Sequence, residues 1–119
     1  MNTSDLIFVY NANSGIFNAI MDSLHKTFSP KTYNCNLCAI TYTSVSMKKK
    51  WKGFINKLNV PVIFLHRDEL KKKYGITDLQ LPVLLTTRGN HFDVLLSAER
   101  LNEIKRLEDL IEQVKQKIE

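Results

Sequence analysis

Two cysteines, three prolines, four glycines and one tryptophan are all that this 119-residue chain holds of those residue types. Two cysteines permit a single disulfide, which excludes a disulfide-stapled scaffold. A chain of this length forms one hydrophobic core without such staples. The scarcity of glycine and proline leaves no linker composition, and there is no repeat or low-complexity stretch, so residues 1–119 read as a single domain. No apolar run approaches the roughly 20 residues that a membrane-spanning helix requires. The opening MNTSDLIFVYNA carries Asp5 where a secretory leader has basic residues, and its apolar stretch is too short for one. The expected compartment is therefore cytoplasmic. There is no GxxxxGK[ST] phosphate loop. Ala39 follows Cys38 where covalent haem attachment needs histidine. The carboxylates scatter along expected helix surfaces and offer no general acid–base pair.

What the chain does have is positive charge. Seventeen Lys and Arg residues against twelve Asp and Glu give a net charge of +5. Much of it sits in MKKKWK (47–52) and KKKY (71–74), and favours anionic partners in general. MKKKWK places a tryptophan among lysines, as single-strand nucleic-acid binders do. Trp51, however, shares a helical stripe with Met47, Phe54, Ile55 and Leu58, so it belongs to a core face and the lysines to a solvated one. Nucleic acid is thus not the expected partner. An anionic membrane surface is a further reading of a basic amphipathic helix. The partner expected instead is a protein or small molecule of unspecified identity, with the oligomeric state open.

The periodicities order the chain. LIFVY (6–10) is a buried strand ended by the turn formers Asn11, Asn13 and Gly15. Ser14 is placed to N-cap a helix with Ile16, Ile20, Leu24 and Phe28 on one stripe, stopped by Pro30. The cysteine segment follows, and then the stripe around Trp51. VPVIFLH (60–66) is a strand with Pro61 at its start, where a missing N–H is tolerated. RDELKKKYG (67–75) gives one or two helical turns, with acids at the N-terminal end, lysines at the C-terminal end and Gly75 as a left-handed cap. LPVLLTTRGNHFDVLLS (81–97) is a hairpin turning at Gly89-Asn90. From Leu101 onwards Ile104, Leu107, Ile111, Val114 and Ile118 mark a single closing helix. Strands separated by helices imply parallel crossovers and the hairpin adds an antiparallel pair, so the fold class is α/β, a mixed sheet with helices on both faces.

Residues 60–118 resemble the second half of a thioredoxin. The resemblance rests on Lys73-Tyr74-Gly75-Ile76 at the end of the short helix, on Leu81-Pro82-Val83-Leu84-Leu85 opening the hairpin, and on the closing helix. It implies a thioredoxin-like sheet in which the Leu81–Pro82 bond is cis and borders a substrate groove. The family's Cys-x-x-Cys position, directly after the first strand, reads Asn11-Ala12-Asn13-Ser14 here. The groove expected from the resemblance is thus made by Leu81, Pro82, Asn13 and Ser14. YNANSG followed by YNCNLC is similar to a small bacterial family of uncharacterised proteins with a Tyr-x-Cys-x-Leu-Cys segment. In the thioredoxin-like frame, residues 29–46 form an insertion carrying Cys35 and Cys38.

Those two cysteines leave three readings open. As a redox couple they would cycle between dithiol and disulfide, since residues one helical turn apart need little tightening to bond. As a metal half-site they would need further ligands, with His25 the nearest imidazole in sequence. As packed small hydrophobes they would do no chemistry. The β-branched and aromatic AITYT (39–43) argues against a helix beginning at Cys35. Cys35 and Cys38 are the candidate catalytic pair of a thiol–disulfide redox or redox-sensing domain. No cofactor is expected. The alternatives are a non-catalytic peptide or small-ligand binding module and a metal-binding protein.

Overall fold

The computed structural model describes residues 5–16, 35–43, 46–89 and 91–118. Strand β1 (Leu6–Val9) lies inside a four-stranded sheet of order β2-β1-β3-β4. It runs parallel to β2 (Val62–Leu65) and antiparallel to β3 (Val83–Arg88), which pairs with β4 (His91–Leu96). The mixed α/β sheet expected from the patterning is thus present. Five α-helices are described: α1 (Asn36–Thr41), α2 (Lys49–Asn56), α3 (Arg67–Tyr74), α4 (Ala98–Glu103) and α5 (Leu107–Ile118).

Every residue of β1 is buried, which is why LIFVY is continuously apolar rather than alternating. The period of two divides its side chains between two cores. Leu6, Phe8 and Tyr10 join a large cluster with Leu37, Trp51, Leu101, Leu110 and Val114, contributed by α1, α2, α4 and α5. Ile7 and Val9 join a smaller one with Leu70 of α3 and Val83 and Leu85 of β3. Helices therefore cover both faces, as expected. Trp51 is fully buried and meets the edge of Phe8 with ring centroids 5.3 Å apart, so the lysines around it do mark the outer side of α2.

The turn chemistry follows the sequence closely. Gly75 caps α3 at φ 70°, where its N–H donates to the Lys71 carbonyl oxygen at 2.8 Å. A side chain is strained in that left-handed region, and glycine is not. Gly89, at φ 62°, occupies the hairpin turn. The Leu81–Pro82 bond is cis.

Two expectations need correction. The single closing helix is two helices, because Ile104 is extended (φ −78°, ψ 124°) and ends α4. Helical periodicity runs through the break, since Leu101, Ile104 and Leu107 are all buried on one side of it, and so does not reveal it. Second, a helix does begin at Cys35, which is the N-cap of α1. The β-branched Thr41 is accommodated because its hydroxyl donates to the Leu37 carbonyl oxygen, four residues back, at 2.5 Å. Of the helix expected after Ser14, a 3-10 turn at Ser14–Ile16 is seen. Ile20, Leu24, Phe28, Pro30 and His25 lie outside the described residues.

Trp51 supplies a direct test of the large core. Trp51→Ala is expected to cost about 3–5 kcal/mol by removing a fully buried ring. Trp51→Phe should cost much less, because the buried indole N–H has no hydrogen-bond partner among the described residues. Denaturant unfolding of both variants checks the difference.

Candidate redox site

Cys35 and Cys38 are joined in a disulfide that spans the first turn of α1, with Cα atoms 5.2 Å apart. The Cys38 backbone N–H also donates to Cys35 Sγ at 3.3 Å, so that sulfur serves as the helix N-cap. Both residues are buried, at 1% and 0% exposure, inside the large core cluster. Burial holds the pair out of reach of a bulky partner in this conformation, while a small oxidant or reductant requires far less opening.

Asn36, between the two cysteines, reaches across to the C-terminal half of the chain. Its side-chain amide donates to the Leu101 carbonyl oxygen at 2.6 Å and to that of Ile104. Both acceptors lie at the end of α4, where the Leu101 carbonyl oxygen also accepts from the Ile104 N–H at 3.2 Å. One side chain inside the disulfide loop thus caps the helix that the sequence pattern does not separate from its successor. Asn36 carries no local signal of this role; only the pairing of distant segments creates it.

Tyr10, just past β1, is buried against Tyr42, with ring centroids 5.7 Å apart and nearly perpendicular. Burial first, and then the neighbouring Tyr42 phenol, push its hydroxyl well above the ordinary tyrosine range. It stays neutral at physiological pH and acts as a polar core group.

The residues expected to form a groove are only partly brought together. Leu81 lines a cavity of about 110 Å³ with Asn11, Arg67, Leu70, Ile76, Thr77 and Leu79. Two of these lining residues are bonded to each other, Arg67 donating to Asn11 Oδ1 at 2.5 Å. Pro82 is buried beside β3, while Asn13 and Ser14 are exposed and are not among the lining residues described. The Ser14 hydroxyl is engaged elsewhere. It donates to Asp68 Oδ2 at 2.6 Å, and the Ser14 N–H donates to Oδ1 at 2.9 Å. These bonds, the hydroxyl's first, hold the Asp68 carboxyl below its ordinary range. No local pattern places Arg67 and Asp68 beside the 11–14 turn, since 54 positions separate Ser14 from Asp68.

Among the described residues no three His, Cys, Asp or Glu side chains converge on a point that would hold a metal ion. Cys35 and Cys38 alone are two ligands of the four that a structural zinc site takes. The third residue of the metal reading, His25, lies outside the described residues. No helix among them is long and apolar enough to cross a membrane.

Two substitutions probe this site. Asn36→Ala should cost about 1–3 kcal/mol by removing the side-chain donor of the Ile104 carbonyl oxygen and one of the two donors of the Leu101 carbonyl oxygen, read as a lower denaturant midpoint. Ser14→Ala should raise the Asp68 carboxyl towards its ordinary range, followed by carboxyl-detected NMR titration. A carboxyl held low in the folded state contributes stability that is present above its unfolded value and lost as pH falls through the folded one. The Ser14→Ala protein should therefore lose less stability on acidification than the parent. Comparison of the chain with protein-family models, curated proteins and solved structures found no match.

Proposed function

We propose that this chain is a cytoplasmic redox-sensing domain of thioredoxin-like architecture, in which Cys35 and Cys38 interconvert between dithiol and disulfide. The observation that carries the reading is their placement. Their Cα separation of 5.2 Å falls within the range of about 4.4–6.8 Å that disulfides adopt without backbone rearrangement. The order of the elements after Val60 supports the thioredoxin-like assignment. Burial of both sulfurs favours sensing over turnover, because an exchange catalyst must present its thiolate to large substrates.

The step is a thiol–disulfide exchange with a low-molecular-weight disulfide such as oxidised glutathione. One cysteine thiolate attacks a glutathione sulfur, forms a mixed disulfide and expels the first glutathione thiolate. The second cysteine, after losing its proton, attacks the protein-side sulfur and expels the second. The protein gives up two electrons and two protons, and two glutathione thiols are formed. Reduction runs the same steps backwards.

A second reading has one observation in its favour. Asn11 and Leu81 share a cavity, as a binding module built on the turn after β1 and the residue before Pro82 would require. At about 110 Å³ that cavity is well below the roughly 300–1,000 Å³ of ordinary small-molecule sites, so the redox reading stands first.

Alkylation and mass spectrometry across a graded glutathione buffer test it. The expected outcome is a reversible loss and gain of two hydrogens that Cys35→Ser or Cys38→Ser abolishes, with a midpoint near the cytosolic glutathione poise. Thiols that stay shielded until a chelator is added would replace the redox reading with a metal site. A pair that keeps one state throughout would leave the binding module.

A further inference from the structure

A groove of about 720 Å³ runs between α2 and α5 on the outside of the large core. Its floor is apolar, made by Phe54 and Leu58 from one side and Ile111 and Ile118 from the other, all half-buried. Lysines rim it: Lys49, Lys50 and Lys57 on the α2 side and Lys115 on α5. Lys50 is paired with Glu108 at 2.8 Å. Lys49, Lys57 and Lys115 have no ion pair among the described residues.

Lysine placement along α2 does not serve the helix. Lys49 and Lys50 occupy its first turn, which holds no acidic residue, and the Lys48 N-cap side chain makes no capping bond. Cations at that end oppose the helix dipole and leave the first N–H groups without side-chain acceptors. The same fold treats α3 and α5 conventionally, with acids in the first turn and lysines in the last. The charge on α2 is thus suited to something outside the helix.

We infer that the α2–α5 groove docks an acidic amphipathic helix of a partner protein, its apolar stripe on Phe54, Leu58, Ile111 and Ile118 and its carboxylates against Lys49, Lys57 and Lys115. An apolar floor with a cationic rim complements a helix that is apolar on one side and anionic on its flanks, and helix-in-groove recognition is a recurring mode. A concave surface fits a rod better than a flat bilayer. The apolar side of α2 is not free to enter a membrane, because Trp51 is already committed to the core. The inference is independent of the redox reading.

The probe is a fluorescein-labelled synthetic peptide that forms an amphipathic helix with a leucine stripe flanked by glutamates. Its control has the same composition in a scrambled order. Fluorescence anisotropy should show saturable binding of the probe that weakens as salt is raised, and a fall of roughly tenfold or more for the Lys57→Glu, Lys115→Glu double variant. Both positions are exposed, and far-ultraviolet circular dichroism confirms that the variant is folded. NMR shift changes should map to Gly53, Lys57, Ile111 and Lys115. Equal binding of the scrambled peptide, no saturable binding, or shift changes confined elsewhere would overturn the proposal. So would binding to phosphatidylglycerol vesicles without binding to the peptide, which makes the groove a lipid site. Sedimentation of the protein alone as a dimer dispersed by the same double variant would assign the groove to a second copy of the chain.

Discussion

The fold depends on a four-residue strand having both edges and both faces occupied. Strand β1 is bonded on one edge by parallel β2 and on the other by antiparallel β3, so its backbone groups are satisfied within the sheet. Its side chains then leave no choice about layers. Leu6 and Phe8 draw helices to one side, and Ile7 and Val9 draw α3 to the other. A one-residue slip would exchange the two sets, and the aromatic contacts of Phe8 with Trp51 and Phe64 fix the register against it. The backbone continues this anchoring beyond the strand. The Tyr10 N–H donates to Leu65, and the Ala12 carbonyl oxygen accepts from Arg67, which lays the 11–14 turn beside the start of α3.

The large core is closed by two kinds of link between distant segments, and they differ in strength. The seam between α2 and α5 has an ion pair on its surface, Lys50 with Glu108. The lysine ammonium, with help from the Glu108 backbone, holds that carboxyl down to about 2. The pair is solvent-exposed and screened by salt, so it orients the seam more than it secures it. The link between α1 and α4 is different in kind. There the Asn36 amide reaches two backbone carbonyls in a partly buried setting, where an unmet acceptor is costly. The Asn36 bonds thus add a polar link to the shared core packing of the disulfide loop and the α4–α5 junction.

Position along the chain separates what was legible from what was not. The strands, the Trp51 stripe, the Gly75 cap and the Gly89 turn follow from local rules, because each depends on the residues that compose it. The cysteine helix did not. AITYT is a poor helix by propensity, and α1 exists because Leu37, Cys38 and Ile40 are buried in the core and Thr41 bonds back to Leu37. The break at Ile104 was likewise hidden, since a buried side chain at the expected spacing fits both one helix and two. Of the expected groove, Leu81 found a polar neighbour in Asn11, whereas Ser14 found Asp68, a partner no local pattern names.

The sequence by itself determined the α/β class, the strand order along the chain, the solvated basic face of α2 and the adjacency of the two cysteines. These are properties of periodicity, composition and spacing, which act over a few residues. Tertiary structure alone decided that the cysteines are buried, that Asn36 caps α4, and that α2 and α5 leave a lysine-rimmed apolar groove between them. The last two join segments about 50 residues or more apart. They arise from how the sheet orders its covering helices, which no single stretch of the chain encodes.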